Sequence, residues 1–358
     1  MPFVLSVKDA YRQAVESASG GKNTVMYDDK GNPSIMVMVP RFNLSDVIDG
    51  APNLPHPAFV VNGAVKSEIW ISKYQNVVHD GRAYSIPGMD PRTSVTYDQA
   101  KSYCAAKGPG WHLMTNAEWA AIALWCKKNG TMPRGNNNYG KDVSAPHERG
   151  KETSYSTGQT NRVATGSGPA SWSHDGTPFG IYDLNGNVWE WVGGLKLLEG
   201  KIYVHQDNNY DTPEAAGQVN GWVDTMTYYD NSTPGDNNQS SHDISGNIVL
   251  GAERTNPMYT GDPTGNPGYA YNYQTFETLA PKSGFTVPDI LKYLALAPID
   301  AAHGGDGLYV RNYGERLPSR GGSWDGGSYA GVFALYLYAP RSYSGAGIGF
   351  RSAFISAI

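Results

Sequence analysis

Few of the residue types that perform chemistry are arranged here to do so. The chain's two cysteines, Cys104 and Cys126, each fall on the apolar side of a predicted helix, which reads as two buried free thiols. Eight histidines are scattered singly, with no HExxH or HxH spacing, so a zinc site is not expected. Glu190 stands between Trp189 and Trp191 and has Arg320 and Arg351 as candidate partners. A structural ion pair or hydrogen-bond bridge beneath a sheet accounts for that set, with the tryptophans as core. DNNYD (207–211) and DNSTPGDNN (230–238) carry oxygen ligands that would admit a structural calcium ion, but the spacing is not that of an EF-hand and such runs commonly form turns. No other cofactor is expected. No Gly-rich phosphate loop follows a strand.

The residues arranged for contact rather than catalysis lie at the carboxyl end, GVFALYLYAPRSYSGAGIGFRSAF (331–354). In an extended strand Phe333, Leu335 and Leu337 share one side, while Ala334, Tyr336 and Tyr338 share the other. Large and tiny residues alternate as occupants of that second side and of the flanking loops. Tyrosine among small neighbours suits a binding face, since the ring brings contact area at low entropic cost.

The rest of the chain must position that tail. Of 358 residues only 17% are charged, with 43 glycines and 24 tyrosines, a profile of a loop-rich, mixed or mostly β protein. Net charge is −5 without a basic run, which argues against a nucleic-acid partner. No stretch approaches the length of a membrane span, so membrane insertion is not expected. No signal peptide is visible at the start. Residues 1–52 read as a small unit, a helix begun by Ser6 followed by a hairpin about Lys30-Gly31-Asn32, suited to attachment, oligomerisation or packing on the main domain. The Pro-rich APNLPHP (51–57) follows, and residues 53–358 form the main domain. Thr96-Tyr-Asp-Gln99 and Thr115-Asn-Ala-Glu118 are capping boxes that open two helices. Residues 196–316 read as a long irregular insertion with one helix over 285–296.

Four pieces carry a family resemblance: PRTSVTYDQAKSYCAAKGPGWHLMTNAEWAAIA, MPRGNNNYG, FGIYDLNGNVWEWV, and RGGSW with GIGFRSAF. In this order they resemble the formylglycine-generating-enzyme family, across about residues 65–195 and 316–354. The resemblance implies an α+β, C-type-lectin-like fold. The oxidases of that family use a cysteine pair beyond the RGGSW-like motif to hold copper, and residues 323–358 contain no cysteine. The iron-dependent sulfoxide synthases of related fold need an extra N-terminal histidine cluster, and residues 1–52 contain no histidine.

The tail is also similar to those of the variable proteins of diversity-generating retroelements, phage tropism determinants among them. There, scattered positions in a constant frame are rewritten through error-prone copying of template adenines. This resemblance implies a non-catalytic ligand-binding protein, with about residues 320–354 as the variable region. It implies a constant frame, RGG-W--GS-AGVF-L-L--PRS-S---IGFRSAF, whose gaps are the variable contact positions: Ser323, Asp325, Gly326, Tyr329, Ala334, Tyr336, Tyr338, Ala339, Tyr343, Gly345, Ala346 and Gly347, with Trp324 as a supporting residue. Its partner would be a protein or glycan on a target cell, and its place a virion tail or a cell surface. A homotrimer is implied by the tropism determinants alone. The alternatives are a family enzyme with altered chemistry, or a fixed carbohydrate-binding lectin.

Overall fold

The computed structural model describes residues 9–235, 244–260 and 270–356. Three larger sheets carry the architecture. The first is antiparallel, in the order Asn23–Tyr27, Pro33–Pro40, Glu68–Ser72, Ser352–Phe354, Trp111–Leu113. The second is mixed, in the order Asn272–Thr275, Gly307–Val310, Gly331–Leu337, Ser319–Gly321, Trp189–Trp191, Ile348–Phe350. The third runs Ala280–Pro281, Ile248–Gly251, Trp222–Asn231, Lys201–His205, Leu195–Leu198, Glu315–Arg316.

The two main helices form as their sequences dictate. Thr96 and Thr115 each cap a helix, Tyr97–Ala105 and Asn116–Asn129, and in both the third residue returns a bond to the cap. Gly130 ends the second in the left-handed conformation (φ 67°), which relieves the Cβ clash another residue would meet. This helix is buried along nearly its whole length. The Trp119 indole N–H donates to the Val332 carbonyl at 2.7 Å, tying the helix to the strand that carries the tail.

Three expectations need correction. The hairpin of residues 1–52 is not a separate unit: Pro33–Pro40 pairs with Glu68–Ser72 over five residues, so the hairpin is the edge of the first sheet. Val37 and Val39 join the main core for the same reason. The helix before it runs Ala10–Ser19 and is capped by Asp9, while the expected Ser6 cap lies outside the described residues. Segment 196–316 is less irregular than its composition suggests. It supplies most of the third sheet and two strands of the second, because short apolar runs such as IYV and IVL pair across the polar links that obscure them. Its helix is a single short one, Asp289–Tyr293, capped by Pro288.

Candidate ligand-binding face

The Gly331–Leu337 strand separates core from surface as its alternation requires. Phe333, Leu335 and Leu337 are fully buried on one side, within the main core. On the other side, register lines up residues from several strands. Tyr336 stands opposite Ser319 on one neighbour and Tyr309 on the other, and Tyr309 stands opposite Tyr273. The rings form a continuous aromatic layer. Tyr336 lies 5.2 Å from Trp189, 5.6 Å from Tyr309 and 4.9 Å from Tyr338, centroid to centroid. Tyr329 joins at 6.0 Å from Tyr273 and 6.4 Å from Tyr309. Tyr338 is closed by Tyr271 at 4.8 Å and by the Arg311 guanidinium, 3.8 Å over its ring.

Beside this layer a cleft of about 260 Å³ opens between the strand and the two loops. Six of the twelve expected contact positions line it: Ser323, Asp325, Tyr336, Tyr343, Ala346 and Gly347. Trp324, Trp189, Ser319 and Ile348 complete the walls. Gly326 and Gly345 adjoin these residues in the same loops, and Tyr329 and Tyr338 extend the patch along the aromatic layer.

Main-chain bonds hold the loops, so their shape does not depend on the side chains in question. Trp324 N–H donates to Asn187 O and Gly327 N–H to Asn137 O, while Trp324 O accepts from Tyr139 N–H at 2.7 Å. Gly347 O accepts from Trp189 N–H at 2.8 Å and Gly345 O from Ser94 N–H at 3.0 Å. The GNVWEW and GNNNYG runs make this support. Gly186 has φ 77°, and a Cβ there would sit 2.1 Å from the Asn136 carbonyl, so only glycine fits. The tail's glycines divide in the same sense. Frame residues Gly321, Gly322 and Gly327 have positive φ, whereas the gap residues Gly326, Gly345 and Gly347 do not.

Two of the expected contact positions do not reach the surface. Ala334 and Ala339 are fully buried. Alternation tells which side Ala334 faces, not how deeply the surrounding elements cover it. Ala339 lies beyond the strand, in a core with Leu317, Trp191 and Ile348. The sequence also left out part of the face. Trp189 was assigned to the core with Trp191, yet only Trp191 is fully buried, and Trp189 is half-buried against Tyr336. Tyr273, Tyr309, Tyr271 and Arg311 come from segment 196–316. Only the density of tyrosines there, as in YNY (271–273), hinted at them.

The patch is polar at its edges and apolar within. Burial pushes the hydroxyls of Tyr336, Tyr309 and Tyr343 up from the usual range, which keeps them protonated donors. Asp325 accepts a 2.6 Å bond from the Ser323 hydroxyl. Ser319 Oγ, buried at the cleft, has no hydrogen-bond partner among the described residues.

Residues 15–225 match the family described as the sulfatase-modifying factor enzyme 1-like domain. The chain belongs to that family. Its α+β, C-type-lectin-like fold is the one the resemblance implied. Solved structures with similar folds include PvdO from Pseudomonas aeruginosa, at 16% identity and a TM-score of 0.38, covering 92% of this chain and 97% of that one. Treponema denticola variable protein 1 follows at 14% identity and 0.33, with 93% and 98% covered. The P3c variant of the Major Tropism Determinant stands at 12% and 0.29, with 93% and 71% covered. No curated protein sequence matches.

The residues do not fit the copper of the family's oxidases. Cys104 and Cys126 lie in two different core clusters, and burial pushes both thiols up, so neither offers a thiolate at neutral pH. Glu190 has a structural role. Its carboxylate receives Nε and Nη2 of Arg351 at 2.6 and 2.5 Å and the Gln75 amide at 3.0 Å, all buried. Arg320 instead donates to Asn116 Oδ1 and the Ala295 carbonyl. Asp230, offered above as a calcium ligand, is occupied by Lys282, Thr255 and the Asn256 N–H. Residues 236–238 of that run lie outside the described residues.

Proposed function

We propose that this chain is a non-catalytic binding protein whose C-terminal face is rewritten from copy to copy by a retroelement. The face would contact a protein or glycan on a target cell while the chain is displayed on a virion tail or a cell surface. One observation carries the reading: six expected gap positions meet in one cleft whose loops are held by main-chain bonds. Refilling such positions alters the surface without altering what holds it. The glycine division supports the same reading: the gap glycines lie outside the left-handed region, whereas frame glycines either lie in it (Gly321, Gly322, Gly327) or leave no room for a Cβ, which would sit 2.1 Å from Asp306 at Gly331 and 2.7 Å from the Arg92 carbonyl at Gly349. The missing thiolates weigh against oxidase chemistry. Display in several copies, as in a homotrimer, would turn weak single contacts into firm attachment.

The test is genetic and then biochemical. The DNA flanking the gene should hold a reverse transcriptase and a near-copy of the tail's coding sequence that differs mainly at adenines. Sister isolates should differ at the gap codons and agree at the frame. Identical gap residues across isolates, with no such repeat, would overturn the proposal in favour of a fixed lectin or a family enzyme.

A further inference from the structure

The cleft beside Trp324 has a definite chemistry in this version of the chain. Four aromatic rings line it, Trp189, Trp324, Tyr336 and Tyr343, and one carboxylate, Asp325, stands among them. No Lys or Arg lines it. Asp325 is exposed and makes no salt bridge among the described residues, its one hydrogen bond coming from Ser323. Three arginines around the face are already engaged. Arg162, which reaches the Ala346 carbonyl at 3.4 Å, is paired with Asp90 at 2.8 Å. Arg311 is buried over Tyr338. Arg341 is paired with Glu315 and Asp98.

Aromatic faces carry negative potential, and a carboxylate beside them adds full charge, so such a cleft favours a cation over a neutral guest. The Ser319 hydroxyl, buried in the wall without a partner, can accept a donated N–H. The volume of about 260 Å³ matches a single side chain or head group rather than an extended chain. Arg311 over Tyr338 shows the same aromatic layer already stacked on a guanidinium of its own.

We propose that the cleft bounded by Trp189, Trp324, Tyr336 and Tyr343 binds a positively charged alkylammonium or guanidinium group through its rings and Asp325. This rests on the ligand-binding reading above and names the chemistry of its target. Because Asp325 and Tyr343 occupy gap positions, the preference belongs to this version of the face and changes when they are replaced.

The probes are choline, N-acetyl-lysine methylamide, N-acetyl-arginine methylamide, the neutral choline isostere 3,3-dimethylbutan-1-ol, and methyl glucoside and methyl galactoside. The readout is the indole N–H resonances of Trp189 and Trp324 in the full chain. Cations should shift both saturably, at least about tenfold more tightly than the neutral isostere. Asp325→Asn should weaken cation binding about fivefold or more with thermal unfolding unchanged, since its carboxylate bonds only Ser323. Choline against the two amino-acid amides separates a quaternary head group from a protein side chain. Equal binding of the neutral isostere, or shifts with the glycosides alone, overturns the proposal. If no cation binds while target cells are still captured through Tyr343, this inference fails and the broader reading stands. Loss of both ends both.

Discussion

Gly347 and Trp324 face one another across the cleft: a Cβ added at Gly347 would meet the indole at 3.5 Å, ordinary contact distance. Gly347→Ser should therefore leave stability within about 0.5 kcal/mol of the parent. Gly322 is the control. Its φ is 91°, and a Cβ there would lie 2.4 Å from that of Ala330. Gly322→Ala should cost at least about 2 kcal/mol through backbone strain and overlap. Urea unfolding of the two variants checks the division between replaceable and fixed positions.

Tyr336 and Tyr343 should behave differently although both line the cleft. Tyr336 packs on Trp189, Tyr309 and Tyr338, so Tyr336→Ala should lose about 1–3 kcal/mol of stability along with binding. Tyr343 is 41% exposed, and Tyr343→Ala should leave unfolding nearly unchanged. If its ring is a contact hot spot, target-cell capture should weaken by about 2 kcal/mol, roughly thirtyfold. A large stability loss at Tyr343 would count against the face as drawn.

Arg351 and Glu190 join the first and second sheets. Arg351 also donates to the carbonyls of Ser72 and Tyr182, so its removal strands a buried carboxylate and two acceptors. Arg351→Met should cost about 3–5 kcal/mol, and Glu190→Gln less, because the glutamine retains hydrogen-bonding capacity. Adding Glu190→Leu to Arg351→Met should recover part of the loss. Failure to recover any would place the cost in packing rather than in charge.

His56 makes stability depend on pH. It is fully buried, and burial lowers its pKa to about 4. Its Nδ1 accepts the Ala58 N–H at 3.2 Å, a bond that needs the neutral ring, while its Nε2 N–H donates to the Tyr293 carbonyl at 2.8 Å in either state. The unfolded chain takes up its proton near pH 6.5, before the folded one does. Stability is then full above about pH 6.5 and falls as pH drops toward 4, by about 3 kcal/mol for this group. Burial lowers His174 and His303 to about 4 as well, so they steepen the same slope. Urea midpoints at pH 7, 5.5 and 4.5 test this. His56→Gln should give a less stable chain with a shallower slope.

What the sequence made legible was local. Thr96 and Thr115 announce their helices because a capping box is complete within four residues. Phe333, Leu335 and Leu337 announce their shared side because alternation is a property of one strand. Contributions from elsewhere in the chain stayed hidden. Trp189, Tyr309 and Tyr273 reach the face only through register with strands far away in sequence. The burial of Ala334 and Ala339 belongs to the same class, since cover comes from neighbours that periodicity does not name. The N-terminal hairpin was seen, but its partner Glu68–Ser72 lies beyond the Pro-rich stretch that suggested a boundary.

The final strand, Ser352–Phe354, lies inside the first sheet, between Glu68–Ser72 and Trp111–Leu113. A polypeptide cut short anywhere upstream would lose that interior partner and expose two unpaired edges, a state prone to aggregation and proteolysis. Synthesis therefore has to pass residue 354 before the first sheet can close, so the strands on either side wait for the last part of the chain to fill the gap between them.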